Sequence, residues 1–220
     1  MLKHGDEMNA LLQKNHKPQS QPRQQVLDAS LEVNGQTILS IIHSFKFFKH
    51  IPGKILSGCG LGSVDEAGEF KIDVTQWFPM SGFLHAFDEI SAQLGGATLY
   101  AIGQKIPENA AFPDWVVDME SALRAINIAY HMNHRKDGRV MFDPATGELQ
   151  EGIGSYHFDA NLNTERRRFN VCCDNPYPCR FDEGIISTMA RKFHPAAIVR
   201  HAPGRCRLEG DSCCVYDVAF

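Results

Sequence analysis

The sequence predicts an α+β domain in which an antiparallel sheet carries helices packed against it. Three observations carry this expectation. Apolar residues recur at helical spacing through the first two thirds of the chain, most regularly at Val116, Met119, Leu123, Ile126 and Tyr130; short segments of strand character follow at 154–161 and 168–173; and a helical pattern over 180–193 precedes a closing turn centred on Gly210. Helices, then strands, then a helix and a hairpin form an order that suits segregated α+β layers rather than alternating βαβ units.

Composition sets the bounds. With 220 residues and 43% hydrophobic content, the chain has enough apolar mass for one good core, and we read it as one domain over 26–220. Residues 1–25 are rich in Gln, Lys, Asn, His and Pro, with little beyond Leu11 and Leu12 to bury, and are expected to form a loosely held arm. The net charge of −4 argues against nucleic acid or an anionic membrane surface as partner. No apolar run reaches the roughly 20 residues of a membrane span. The seven cysteines are an odd number and no signal-like segment opens the chain, so a reducing, cytoplasmic setting is expected, where clustered cysteines point to metal or reactivity more often than to disulfides.

Taken in order, Ile38, Ile41, Ile42, Phe45 and Phe48 predict a helix ending before Pro52-Gly53, with His43 near its apolar stripe as a boundary residue. The glycine-rich 57–63 lacks the Lys-Ser/Thr ending of a phosphate loop and reads as a flexible connection, with Cys59 equally a bystander or a reactive thiol. After a short extended segment at 70–74, Trp77-Phe-Pro leads into a helix with Ser81 as N-cap and Phe83, Leu84, Phe87 and Ile90 on its apolar face, closed by Gly95-Gly96. A further helix runs from Ala97 to Lys105, closed by Pro107. The seam 116–130, with Asp114 as N-cap, packs either into its own core or against a second copy. His131 and His134 suit the end of that helix, where a cation complements the dipole. Residues 140–150 carry a hairpin signal with a turn at 143–147, and Arg166 to Arg168 form a solvated basic loop. In Cys172-Cys173 and Cys213-Cys214, strand alternation sends one of each pair to either face, and vicinal disulfides are discounted.

The last third concentrates the chemistry. If 206–208 and 212–220 are arms of a hairpin with loop 209–211, Cys206 faces Cys214 across the ladder, at the roughly 4.5–5.5 Å Cβ separation of opposed residues, and Cys179 at the start of the 180–193 helix can bring a third sulfur to one metal ion. The alternative is that the three thiols are small core residues.

Cys179-Arg-Phe-Asp-Glu-Gly, the helix ending near Phe193-His-Pro, and Cys206-Arg-Leu-Glu-Gly-Asp-Ser-Cys-Cys214-Val-Tyr-Asp-Val resemble the close of the 4-vinyl reductase-type domain, a small-molecule-binding relative of the TRAPP vesicle-tethering subunits and of phenol-sensing activator domains. The resemblance is specific over about the last 45 residues; upstream it rests on Trp77-Phe-Pro and Ile102-Gly-Gln-Lys-Ile. It implies a TRAPP-like fold and a zinc ion held by a cysteine, a glutamate and two cysteines eight residues apart. Cys179, Cys206 and Cys214 match the cysteines, with one extra residue between the first two; Pro203 stands where the glutamate belongs, and His201 is the nearest substitute.

Function follows as an expectation. No Ser-His-Asp order, carboxylate pair or cofactor loop marks an enzyme. The leading reading is a sensing module with a structural zinc clip and a pocket for a small apolar or aromatic ligand, lined by Trp77, Phe83, Phe87, Tyr100, Trp115 and Tyr156, although core filling is the alternative for each ring. Such a module needs an output protein, and the 116–130 seam, with the resembled family's pairing through helices, suggests a homodimer. The other readings are an enzyme or accessory of tetrapyrrole metabolism, implied by the resemblance, and a dimeric assembly scaffold.

Overall fold

The computed structural model describes residues 28–45, 50–159 and 168–220. The expected arm at 1–25, the Phe48 end of the first predicted helix and Arg166-Arg167 lie outside the described residues. Along the chain come β1 (Leu31–Asn34), α1 (Gly35–His43), α2 (His50–Gly58), β2 (Ser63–Val64), β3 (Phe70–Lys71), β4 (Trp77–Pro79), α3 (Met80–Leu94), α4 (Gly96–Glu108), α5 (Met119–Met132), β5 (His134–Lys136), β6 (Arg139–Val140), β7 (Tyr156–Asp159), β8 (Arg168–Cys173), α6 (Cys179–Phe193), β9 (Ile198–His201) and β10 (Cys214–Ala219). The α+β class holds, with two four-stranded antiparallel sheets in place of one, ordered β4-β1-β5-β6 and β7-β8-β10-β9, and a small β2-β3 ribbon.

Local chemistry fixes the elements. The Asn34 side chain accepts from Thr37 N at 2.8 Å and starts α1. Pro52 and Gly53, expected to lie beyond a helix, fall inside α2, where Pro52 is at the third position and its missing N–H has no intrahelical acceptor to lose. The seam helix starts at Asp118 rather than Asp114, because Asp118 has Ser121 three residues on: Ser121 N donates to its carboxylate at 2.7 Å, and Asp118 N donates back to Ser121 Oγ at 3.0 Å. Gly95, at φ 83°, separates α3 from α4. In the first sheet Glu32 opposes Arg135, whose Nη2 donates to Glu32 Oε1 at 2.9 Å.

The second sheet positions the site. Phe169, Val171 and Cys173 of β8 and Cys214, Tyr216 and Val218 of β10 turn one way and are buried, against Phe181, Ile185, Ile186 and Met189 of α6. The expected final hairpin does not form: β10 is paired on both sides, by β8 and β9, and residues 207–209 make a 3₁₀ turn instead of an arm. The seam on α5 is also spent internally, since Met119, Leu123, Ile126 and Tyr130 are all buried in the chain's own core. This removes the observation that suggested a homodimer. His131 and His134 do not cap α5 in solvent; both are buried.

Cysteines 172 and 213 are joined by a disulfide, Cα to Cα 6.0 Å, against the expectation that thiols here stay reduced. Alternation turns both away from the core, so they meet across the outer face of the β8–β10 pair.

Helix α6 also lies against α4 at unusually close range. A Cβ at Gly103 would fall on the carbonyl oxygen of Phe181, and one at Gly184 on the carbonyl oxygen of Tyr100. The two helices touch backbone to backbone through these glycines. Gly103→Ala and Gly184→Ala are each expected to destabilise the fold by about 1–3 kcal/mol through overpacking, read as a lower denaturant midpoint. A midpoint unchanged within error in both would refute the close contact.

Candidate metal and thiolate centre

Three chain segments converge below the inner face of the second sheet. Helix α6 opens on Cys179 directly after Pro178; β10 opens on Cys214; β9 ends on His201, directly opposite Tyr216. The connection from β9 to β10 folds back on itself, with Cys206 N donating to Asp211 Oδ2 at 2.9 Å and Asp211 N donating to Cys206 O at 3.1 Å. This brings Cys206 over Cys214 without a hairpin. Cys179 Sγ lies 3.3 Å from Cys214 Sγ and 3.8 Å from Cys206 Sγ, and Cys206 and Cys214 are 3.9 Å apart. One ligand atom from each of Cys179, His201, Cys206 and Cys214 lies within 4.8 Å of the other three. His201 Nε2 is buried with no hydrogen-bond partner.

Charge is managed by a residue that sequence reading missed. Arg207 directs its backbone N–H (3.4 Å) and its Nε (3.3 Å) at Cys214 Sγ, and its Nη2 at Tyr177 O (2.8 Å) and Asp182 Oδ2 (3.1 Å). Asp182 is fully buried on α6 and takes a 2.6 Å hydrogen bond from Tyr156. The hydrogen bond from Cys179 pulls the Cys214 thiol far down, helped by Arg207 and His201 against the cost of burial, while the same Cys214 contact and burial push Cys179 up. Of the two sulfurs, Cys214 is the one that faces the guanidinium. Burial raises Asp182 to about 7 despite Arg207. A carboxylate one helical turn after Cys179 was the only sequence signal for this network.

The six rings expected to line a pocket do not converge on one. Phe83 and Phe87 pack on each other at 4.8 Å between ring centres, and Phe87 packs on Phe181 at 4.7 Å. Tyr177 closes the space between them, at 5.9 Å from Phe83 and 5.8 Å from Phe87. Tyr156 is buried against Tyr130 at 5.4 Å. Trp77 sits on β4 under the Arg135 guanidinium, 5.0 Å away. Tyr100 stands at the α4 surface between Arg180 and Arg191, and Trp115 is 46% exposed. Rings that looked like pocket walls fill core or surface because aromatic packing satisfies them directly. Clefts exist elsewhere: about 520 Å³ between α2 and α3, and about 400 Å³ between α4 and α6. None of the six rings lines either.

No protein-family model matches the chain, and no curated protein matches it. Solved structures share its fold. The Fe(II) unliganded H-NOX protein from K. algicida aligns with a TM-score of 0.53 at 11% identity, over 84% of this chain and 95% of that one. An H-NOX protein from S. oneidensis in an Fe(II) ligation state aligns at 0.50 with 14% identity, over 82% and 94%. A structure from work on heme redox potential and porphyrin distortion aligns at 0.52 with 10% identity, over 85% and 99%. At such identity the likeness concerns the fold alone. It corrects the resemblance to the 4-vinyl reductase-type domain and its TRAPP-like label: that reading rested on about 45 residues around the cysteines, whereas the alignments span more than four fifths of the chain and lead to H-NOX structures. The expectation of zinc came with that resemblance, and the heme-related neighbours overturn it; the tetrapyrrole-enzyme and scaffold readings lose their basis as well.

The described residues do not fit a heme. Such a group needs a slot walled by apolar side chains and a free axial ligand. His134 offers none, since its Nδ1 donates to Tyr130 O and its Nε2 accepts from Tyr177 Oη, both at 2.6 Å. His131 Nδ1 is held by Asn127 O at 2.8 Å. The space between α3, α5 and α6 is filled by the rings just described. The α2–α3 cleft, lined by His50 and His85, is open to solvent and walled partly by Lys54, Glu89 and Gln93.

Burial holds His134 neutral, lowering its pKa from 6.5 to about 4. A histidine depressed in the fold contributes stability above its unfolded pKa, and that contribution is lost as pH falls towards 4. Relative to His134→Gln, the native chain is expected to lose roughly 3 kcal/mol of unfolding free energy between pH 6.5 and 4, at about 1.4 kcal/mol per unit, and nothing above pH 7. Denaturant melts across that range check it; parallel curves for the two proteins would refute a neutral, buried His134.

Proposed function

We propose that the chain is a small-ligand-binding sensor domain on an H-NOX-like fold, and that its responsive centre is the Cys179, His201, Cys206 and Cys214 cluster, loaded with a thiophilic metal ion. The convergence of three sulfurs and one imidazole carries this reading. Thiolate–metal bonds of about 2.3 Å in a tetrahedron set its edges at about 3.8 Å, and the three sulfur separations are 3.3, 3.8 and 3.9 Å. Three thiolates and a dication leave one negative charge, and Arg207 stands against it with two N–H groups. Thiols serving only as core filler need neither the mutual contact nor a half-buried guanidinium against them.

Four protein ligands leave no open position, so the ion acts as a clip and not as a catalyst. It ties the start of α6 to β10 and to the β9–β10 connection, and through α6 to α4 at the paired glycines. Gain or loss of the ion is therefore felt along α6, the one helix that reaches both the site and the helical layer. An apolar-ligand pocket receives no support from the packed rings.

Cobalt(II) is the probe. The full chain is expected to bind one equivalent with sulfur-to-cobalt charge-transfer absorption. Arg207→Gln should weaken binding about 10–100-fold, and Cys206→Ser by more, while His85→Ala in the α2–α3 cleft leaves it unchanged. Absence of the charge-transfer band in native protein, with no loss of stability on chelation, would return the cysteines to core packing.

A further inference from the structure

We infer that the Cys172–Cys213 disulfide on the outer face of the second sheet is a redox gate that controls retention of the ion on its inner face. The inference rests on the metal reading of the cluster and adds its regulation. Cys213 and Cys214 are neighbours in sequence, and Cys172 and Cys173 are neighbours on β8. Alternation places one pair in the disulfide and the other inward, with Cys214 opposite Cys173 in the first register pair of β10 with β8. The disulfide therefore ties Cys213, one residue before β10 begins, where the chain leaves the connection that carries Cys206, to Cys172 within β8, which is itself paired with Val215 and His157.

That position has mechanical meaning. Ladder ends fray, and a ligand at the first residue of a strand shares in the fraying. The Cys206 connection closes on itself through Asp211 and on β10 through Arg205 O and Val215 N at 3.1 Å. The connection is also held to β10 by Ala202 N donating to Val215 O at 2.8 Å and by Arg207 against Cys214 Sγ, and Arg207 reaches Tyr177 and Asp182; the disulfide adds a covalent tie to β8. With the bond closed, Cys214 and the connection are held in register with β8. With it open, two of the four donors sit on a frayed end.

Cys172 is half-buried and Cys213 buried, so a small reductant reaches the bond at Cys172. A dithiol of the cell can open it: its two thiols give up two electrons and two protons, the sulfur–sulfur bond breaks, Cys172 and Cys213 each gain a proton, and the dithiol closes to its own disulfide. Cys179, Cys206 and Cys214 take no part. Linkage makes the effect reciprocal, so that a bound ion makes the disulfide harder to reduce.

The test uses the full chain loaded with cobalt(II) and follows loss of the charge-transfer band on mixing with excess EDTA. Three samples are compared: untreated protein; protein reduced with a water-soluble phosphine, which takes up the oxygen of water as the bond opens; and Cys172→Ser/Cys213→Ser. Release is expected to be at least about tenfold faster in the second and third than in the first, because the bond closes a loop of the size whose removal commonly costs several kcal/mol of constraint. Alkylation of the unreduced protein should label five of its seven cysteines. Equal release rates in all three samples, or seven labelled cysteines in untreated protein, would overturn the gate while leaving the centre standing. Failure of untreated protein to take up cobalt would overturn the centre and the gate together.

Discussion

A guanidinium held between the Asp182 carboxyl group and the Cys214 sulfur ties the C-terminal half together. Arg207 faces Cys214 on one side and Asp182 on the other. Each partner belongs to a different element: Cys214 to β10, Asp182 to α6, and Arg207 to the connection that also carries Cys206. Removing any one leaves a charge in a medium that does not solvate it, at a cost well above the net value of the pair. The arrangement fixes where α6 begins relative to the sheet. That start in turn sets the depth at which α6 meets α4, where Gly103 and Gly184 permit contact between backbones.

A fold shared with H-NOX structures does not carry their chemistry with it, because function belongs to the site and not to the architecture. In this chain the interior between α3, α5 and α6 is occupied by Phe83, Phe87, Tyr177 and Phe181, with His134 pinned by Tyr130 and Tyr177. The three crowded sulfurs and the His201 imidazole lie instead at one end of the second sheet. Demand for a ligand has moved to where Cys179, His201, Cys206 and Cys214 meet.

The sequence made part of this legible. Cysteines are few, they concentrate after residue 170, and a helix start plus a returning strand is enough to bring Cys179, Cys206 and Cys214 near one another; the hairpin used to argue it was wrong, since β10 is sandwiched by β8 and β9. The α+β class followed from periodicity. The first sheet did not, because β5 and β6 are three and two residues long, too short for alternation to register. Aromatic residues misled for another reason: Trp77, Phe83 and Tyr100 look alike in sequence whether they wall a cavity, fill a core or shelter a guanidinium. The Arg207–Asp182 pair spans 25 positions with no pattern linking its members. The Cys172–Cys213 disulfide was missed because composition argued for reduced thiols, and pairing across strands depends on a register that only the folded sheet supplies.

The central claim is that three sulfurs and one imidazole form a single coordination shell. X-ray absorption at the metal edge of protein saturated with one equivalent of ion reads that shell directly. The account predicts three sulfur scatterers and one nitrogen, with the nitrogen replaced in His201→Ala and the sulfur count falling to two in Cys206→Ser. A shell of oxygen and nitrogen alone in the native protein would contradict it.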